Sequence, residues 1–261
     1  MCLLIVFSRT LPDAPLVVAA NRDERLDRPA TAMTVLDAGP PRVLGGRDEL
    51  AGGTWLAVND HGVVAGLTNR PVEAGRVPTK RSRGELPVLL ARATSAQAAV
   101  AACEAKVDPS DYNPAWILVG DRRSLFALDV SDGRALRVEE LRPGLHVLEN
   151  KPFGSESPKI RHVMELLAGA ERLPAHERSD LLFSVLGDHA VPPHSPEDTA
   201  QGRLPASVLA DCVHGEGYGT RWSCLVEVTA DDRPPRLRYA EGPPCRTPFV
   251  DAGALWSGPE R

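Results

Sequence analysis

The chain opens with two nearly unbroken apolar runs, Leu3-Leu4-Ile5-Val6-Phe7 and Leu16-Val17-Val18-Ala19-Ala20, on either side of a turn through Leu11-Pro12-Asp13. Short runs of Val, Ile and Leu without alternation read as strands covered on both faces. The Pro/Asp turn between them predicts a β-hairpin. A second hairpin is predicted from Thr54–Asn59 and Val63–Thr68 around Asp60-His61-Gly62. Between the hairpins, the stretch from Arg28-Pro29-Ala30 through Pro40-Pro41 and Gly45-Gly46 reads as a loop.

Helical spacing begins at Gly84 and runs to Arg92. It pauses at Thr94-Ser95 and resumes from Ala96 to Lys106, with Ala91, Ala98, Ala99, Ala101 and Ala102 suited to close packing on a sheet. Ser82 and Glu85 have the spacing of a capping box; the competing reading sets Ser82 and Arg83 in a pocket wall. Four short strands are predicted over 115–119, 124–130, 135–139 and 145–149. Ser157-Pro158 then opens an amphipathic helix with Ile160, Val163, Met164 and Leu167 on one face, and a second covers Ser179–Leu186. Residues 191–205 are rich in Pro, Ser and Asp and read as a surface loop or a lid. Strands at Cys224–Val228 and Leu237–Ala240 follow, and the Pro- and Gly-rich tail, 243–261, reads as a loosely packed cap. Runs of strands separated from runs of helices predict an α+β domain of antiparallel sheets with helices on the outer faces. Nothing in composition forces a boundary within residues 1–261.

The net charge of −5 argues against a nucleic-acid partner, since Lys80-Arg81-Ser82-Arg83 is the nearest thing to a basic patch. No apolar run is long enough for a membrane span, and the N-terminus lacks the basic region of a signal peptide. Cysteines fall at 2, 103, 212, 224 and 245, an odd count with no C-x-x-C pair. That spacing suggests neither a disulfide framework nor a metal site, and the expectation is a reduced, cytoplasmic protein.

The hairpin brings Asn21, Arg22, Asp23 and Glu24, at the end of its second strand, beside Cys2 at the start of its first. Removal of Met1 would make Cys2 the N-terminal residue, with a thiol and a free α-amine on one skeleton. An α-amine of pKa about 7.7–8.0 is a base tuned near neutrality beside a thiol of about 8.5, the arrangement of an N-terminal nucleophile. Arg22 would favour the thiolate and Asp23 the ammonium form of the amine. The competing reading makes Cys2 a small buried hydrophobe and the four polar residues an ordinary loop.

Met1-Cys2 followed by Ala20-Asn21-Arg22-Asp23-Glu24 resembles the NRDE family, also called the transport and Golgi organisation protein 2 family. The resemblance continues through Gly52-Gly53-Thr54-Trp55-Leu56, Leu67-Thr68-Asn69, Ser82-Arg83-Gly84-Glu85-Leu86, Asn150-Lys151-Pro152 and Tyr218-Gly219-Thr220-Arg221. That family is in turn similar to cysteine-type N-terminal nucleophile hydrolases such as bile-salt hydrolase and penicillin V acylase. The resemblance implies a four-layer αββα fold, Cys2 as nucleophile, Asn69 as an oxyanion donor, Asn150 as a second polar pocket residue, and Arg221 joining Arg22 and Asp23 around the thiol. Asn21, Glu24, Trp55 and Arg83 are the expected substrate contacts. The competing reading of Asn69 is a turn residue, and that of Arg221 a strand-edge arginine. Two functions follow as expectations. One is a hydrolase or acyltransferase acting on a non-peptide amide or thioester of a small molecule, with no cofactor. The other is a non-catalytic haem- or lipid-handling or trafficking protein using the same pocket, although no C-x-x-C-H haem attachment motif is present.

Overall fold

In the computed structural model, residues 2–72, 75–131 and 135–257 are described. All strand pairs are antiparallel and form two sheets. The first holds β1 (Leu3–Ser8), β2 (Leu16–Arg25), β10 (Gly144–Leu148), β11 (Tyr218–Val228), β12 (Arg236–Ala240) and β13 (Val250–Asp251), in the order β10-β1-β2-β11-β12-β13. The second holds β3 (Ala30–Asp37), β4 (Val43–Asp48), β5 (Leu56–Asn59), β6 (Val64–Asn69), β7 (Ala115–Gly120), β8 (Leu125–Val130) and β9 (Arg137–Glu140), in sequence order.

The unbroken apolar runs are explained by the layers. Leu4 and Val6 face the second sheet and meet Leu56, Val58 and Leu118. Leu3, Ile5 and Phe7 alternate to the outer face, where Val163 and Leu167 of α3 (Pro158–Leu166) and its end, and Leu182 and Val185 of α4 (Ala175–Leu186), cover them. The second sheet is covered likewise by Leu86 and Leu90 of α1 (Glu85–Ala91) and by Ala99 and Cys103 of α2 (Ala96–Lys106), packed on Ala65, Ile117 and Val119. The order of layers is helix, sheet, sheet, helix, as expected.

Three local expectations fail. The stretch read as a loop is the hairpin β3–β4. Its glycines hide a strand because they make room: a Cβ on Gly46 would fall 2.1 Å from the Trp55 ring. The capping box does not form; Gly84 caps α1 without a side-chain bond, and the Ser82 hydroxyl donates to the Gly52 carbonyl at 3.2 Å. The described part of the tail is not loose. β13 pairs with β12, Phe249 stacks on Phe183 with centroids 4.1 Å apart, and the Trp256 indole donates to the Pro235 carbonyl at 2.9 Å. Aromatic burial at this end offsets the Pro- and Gly-rich composition.

Gly46→Ala should cost about 1–3 kcal/mol through overpacking against Trp55, read as a lower urea midpoint with an unchanged slope.

Candidate functional site

Strand register builds the site. Leu3 pairs with Asn21, and one residue further the register sets Cys2 opposite Arg22, both on the face toward the second sheet. The Cys2 sulfur lies 4.0 Å from the Asp23 carbonyl oxygen, which also accepts from the Tyr218 hydroxyl at 3.1 Å. On the other side of β2, Asp23 pairs with Thr220 of β11, and the Thr220 hydroxyl donates to Asp23 Oδ1 at 2.6 Å while accepting the Val213 N–H at 2.8 Å.

Arg22 is 4% exposed. An unpaired charge there would cost several kcal/mol. Its guanidinium lies 4.3 Å from the centre of a Trp55 ring, 3.4 Å from Glu24 and 3.8 Å from Asp48, and Arg28 ties the same Asp48 at 2.8 Å. A desolvated cation–π contact contributes about 2 kcal/mol or more. Burial nevertheless lowers the Arg22 pKa, opposed by Cys2 and the two carboxylates. Burial also pushes the Cys2 thiol above its ordinary range, with Asp23 adding to the shift and Arg22 opposing it.

Cys2, Arg22, Asp23, Glu24, Trp55, Asn69 and Arg83 line one cleft of about 110 Å³, together with Arg28, Asp48, Ser82, Arg76 and Arg81. Its floor depends on a close approach: Gly53, at φ 78°, would set a Cβ 2.3 Å from the Gly84 backbone, and Thr54 N–H donates to the Gly84 carbonyl at 2.9 Å. The pocket-wall reading of Ser82 and Arg83 is thus the one the geometry follows. Arg83 donates to the Pro114 carbonyl at 3.2 Å, and burial and the neighbouring Arg76 lower its pKa. Arg76 and Arg83 form no ion pair among the described residues.

Three expected residues lie elsewhere. Asn21 alternates away from Arg22, is 2% exposed, and is consumed by structure. Its amide donates to the Leu186 and Asp211 carbonyls, both at 2.8 Å, and its oxygen accepts from Ser223 at 2.5 Å. Arg221 occupies a bulge in β11 between Thr220 and Trp222. The extra residue turns it out of the cleft, to the carbonyls of Arg25 and Arg28 and into a second cleft with Leu26, Tyr218 and Arg246. Asn150 stands behind the wall: its amide donates to the Asn69 carbonyl at 2.5 Å, and the Thr68 hydroxyl donates to the Glu149 carbonyl at 2.9 Å. These two bonds tie the end of β6 to the end of β10, one from each sheet. Residues 191–205 line neither cleft. The Met1 expectation lies outside the described residues.

The family model for Transport and Golgi organisation 2 matches residues 1–241. The chain belongs to the transport and Golgi organisation 2 family. The Transport and Golgi organization protein 2 homolog of Bos taurus is 30% identical over 234 residues, covering 83% of each chain, and the Mus musculus homolog is 28% identical over 232 residues with the same coverage. Two solved structures share the fold of this family member. One is a cysteine-to-alanine mutant of conjugated bile acid hydrolase from Clostridium perfringens, at TM-score 0.53 and 13% identity over 97% of this chain and 92% of that one. The other is the N-acylethanolamine-hydrolyzing acid amidase ortholog of Caenorhabditis elegans, at TM-score 0.57 and 14% identity over 87% and 92%. The fold is that of the N-terminal nucleophile hydrolases.

Within this family member's motifs, sequence reasoning passed over Tyr218 and Thr220 in favour of Arg221. The signal for them was present in the register, since β11 runs antiparallel to β2 and sets Thr220 opposite Asp23. Asp48 and Arg28 were missed with the β3–β4 hairpin.

Asn21→Ala should lower stability by about 2–3 kcal/mol, because two buried carbonyls lose their donor and Ser223 its acceptor. The same variant should leave the alkylation rate of Cys2 unchanged. In protein that retains Met1, the raised thiol pKa means a protonated, slow Cys2 at pH 7. Its alkylation rate should climb as pH rises through 9 and beyond, as measured by peptide mapping of quenched iodoacetamide reactions.

Proposed function

We propose that this protein is an N-terminal nucleophile hydrolase or acyltransferase for a small non-peptide amide, or thioester, that carries an anionic group. The observation that carries the reading is the convergence of Cys2, Arg22, Asp23 and Asn69 on one cleft, on a fold shared with amide-hydrolysing enzymes.

In this reading Met1 is removed and the α-amine of Cys2 takes the thiol proton. Burial of the thiol fits that division of labour, since a neutral thiol beside a neutral amine needs no buried charge until attack begins. The sulfur adds to the substrate carbonyl and the carbonyl electrons move onto oxygen. The Asn69 side-chain amide donates to that oxyanion, a contact whose loss costs about 2.7–4 kcal/mol in related chemistry. The amine, now an ammonium, gives its proton to the leaving nitrogen as the C–N bond breaks, leaving an acyl-thioester on Cys2. Water, or an acceptor amine, then releases the acyl group. Arg22 and Asp23 set the charge balance at the thiol and amine. Asn150 acts through Asn69, whose carbonyl it holds, and is a positioning residue.

The electrostatics of the wall support the substrate class. Glu24 and Asp48 engage Arg22 and Arg28, whereas Arg76 and Arg83 face the cleft with no carboxylate partner among the described residues. A carboxylate, sulfonate or phosphate on the substrate would fill that role. The size of the cleft favours the hydrolase over the haem-handling alternative. About 110 Å³ falls well below the roughly 300–1,000 Å³ of pockets that enclose drug-sized or larger ligands.

The test is the intact mass of purified native protein with N-terminal peptide mapping, followed by a panel of N-acyl amino acids and their uncharged analogues. Loss of Met1, turnover of the anionic members, its abolition in Cys2→Ala, and a fall of about 10²–10³ in kcat for Asn69→Ala are expected. Retained Met1, or turnover that survives Cys2→Ala, overturns the mechanism. Equal turnover of charged and neutral amides overturns only the anionic-substrate assignment.

A further inference from the structure

The loop after α4, the loop before β11 and the C-terminal segment meet at one point on the surface. They bring together His189, Cys212, His214 and Cys245, separated in sequence by 23, 2 and 31 positions. One potential ligand atom from each of the four lies within 4.8 Å of all the others. His214 Nε2 is 3.7 Å from the Cys212 sulfur and 3.3 Å from the Cys245 sulfur, and the two imidazole centroids are 4.9 Å apart. In a tetrahedral zinc site with Zn–S about 2.3 Å and Zn–N about 2.0–2.1 Å, neighbouring N and S atoms stand about 3.6 Å apart. The two observed N–S distances bracket that value.

A second feature points the same way. His189 Nδ1 lies 3.1 Å from the Cys212 carbonyl oxygen. With the proton on Nδ1, donated to that carbonyl, Nε2 carries the lone pair. A hydrogen bond from the other ring nitrogen is how metal-ligating histidines are commonly oriented. The backbone is fixed to match, since the Cys212 N–H donates to the Asp188 carbonyl at 2.8 Å.

The geometry points to a tetrahedral His2Cys2 site for Zn2+ at His189, Cys212, His214 and Cys245, which clasps the C-terminal segment to the body of the domain. Borderline-soft Zn2+ suits two thiolates and two imidazoles. Four protein ligands close the coordination sphere, so the role is structural. Each Zn2+ bound displaces up to two thiol protons to solvent and changes no oxidation state. The site is independent of Cys2 and of the reaction proposed there, and it touches the second cleft through His214.

The test uses the full chain, stripped with chelator under reducing conditions and titrated with Co2+ and then Zn2+. About one Co2+ per chain is expected, with near-ultraviolet thiolate-to-cobalt bands and the strong visible bands of a tetrahedral ion, both bleached by Zn2+. Cys245→Ser, at an exposed position, should lose about half of the thiolate band. It should also weaken Zn2+ retention against a chromogenic chelator by at least about tenfold. His189→Ala should weaken retention while keeping both thiolate bands. Stripping should lower the Tm of the parent chain by more than that of Cys245→Ser. Octahedral-type weak visible bands, a Cys245→Ser spectrum identical to the parent, or a Cys212–Cys245 disulfide in protein isolated under reducing conditions would each overturn the assignment.

Discussion

A guanidinium buried between two apolar sheets imposes conditions on everything near it. Arg22 keeps its place because Trp55 offers a ring face on one side and Glu24 and Asp48 offer charge on the other. Each of those partners rests on a different piece of chain. Trp55 needs the bare backbone of Gly46 beneath it, Asp48 needs the β3–β4 hairpin to be a hairpin, and Glu24 needs β2 to continue past the point where its apolar run ends. The polar end of the hairpin is therefore a shared structural commitment of both sheets, placed where the thiol of Cys2 must also sit.

The two faces of β2 divide that work. Arg22 and Cys2 face inward to the cleft. Asn21 faces the helices and fastens β2 to the end of α4 and to the 211–213 loop, and Asp23 is fixed by Thr220 on the neighbouring strand. Period-two alternation thus assigns anchoring and chemistry to adjacent residues of one motif. At the opposite wall, the Thr68–Glu149 and Asn69–Asn150 bonds close the gap between the sheets, so the rim that carries Asn69 is fastened from both layers.

Much of this was legible in the sequence. Val-, Ile- and Leu-rich runs bounded by turn residues located β1, β2, β5 and β6, and their lack of alternation announced sheets covered on both faces. α2 fell where its spacing put it, and the hairpin alone gathered Cys2 with Arg22, Asp23 and Glu24. What failed has common physical causes. Gly45 and Gly46 lower strand propensity in isolation and are present because the Leu56 carbonyl and Leu36 occupy the volume of a side chain at the first and the Trp55 ring that at the second. A single bulged residue reversed Arg221, and bulges carry little sequence signal. Counting two residues along a strand identifies Asn21 as facing away from Arg22, but only once it is known which face is the cleft. The His and Cys cluster was invisible to spacing rules because those rules describe ligands brought close by a short turn, whereas these four are brought together by tertiary packing of three distant segments.

Trp55 and Arg22 form a partition with the Cys2 cleft on one side and the second cleft on the other. Trp222 meets Trp55 edge-on, with ring centroids 5.2 Å apart. Trp55 lines both compartments and Trp222 the second, with the Arg22 cation over the Trp55 ring. Occupancy of either compartment changes the field and the polarity that these rings experience. Trp55 is shared by both linings, so a molecule that fills either cleft would rest against the same ring.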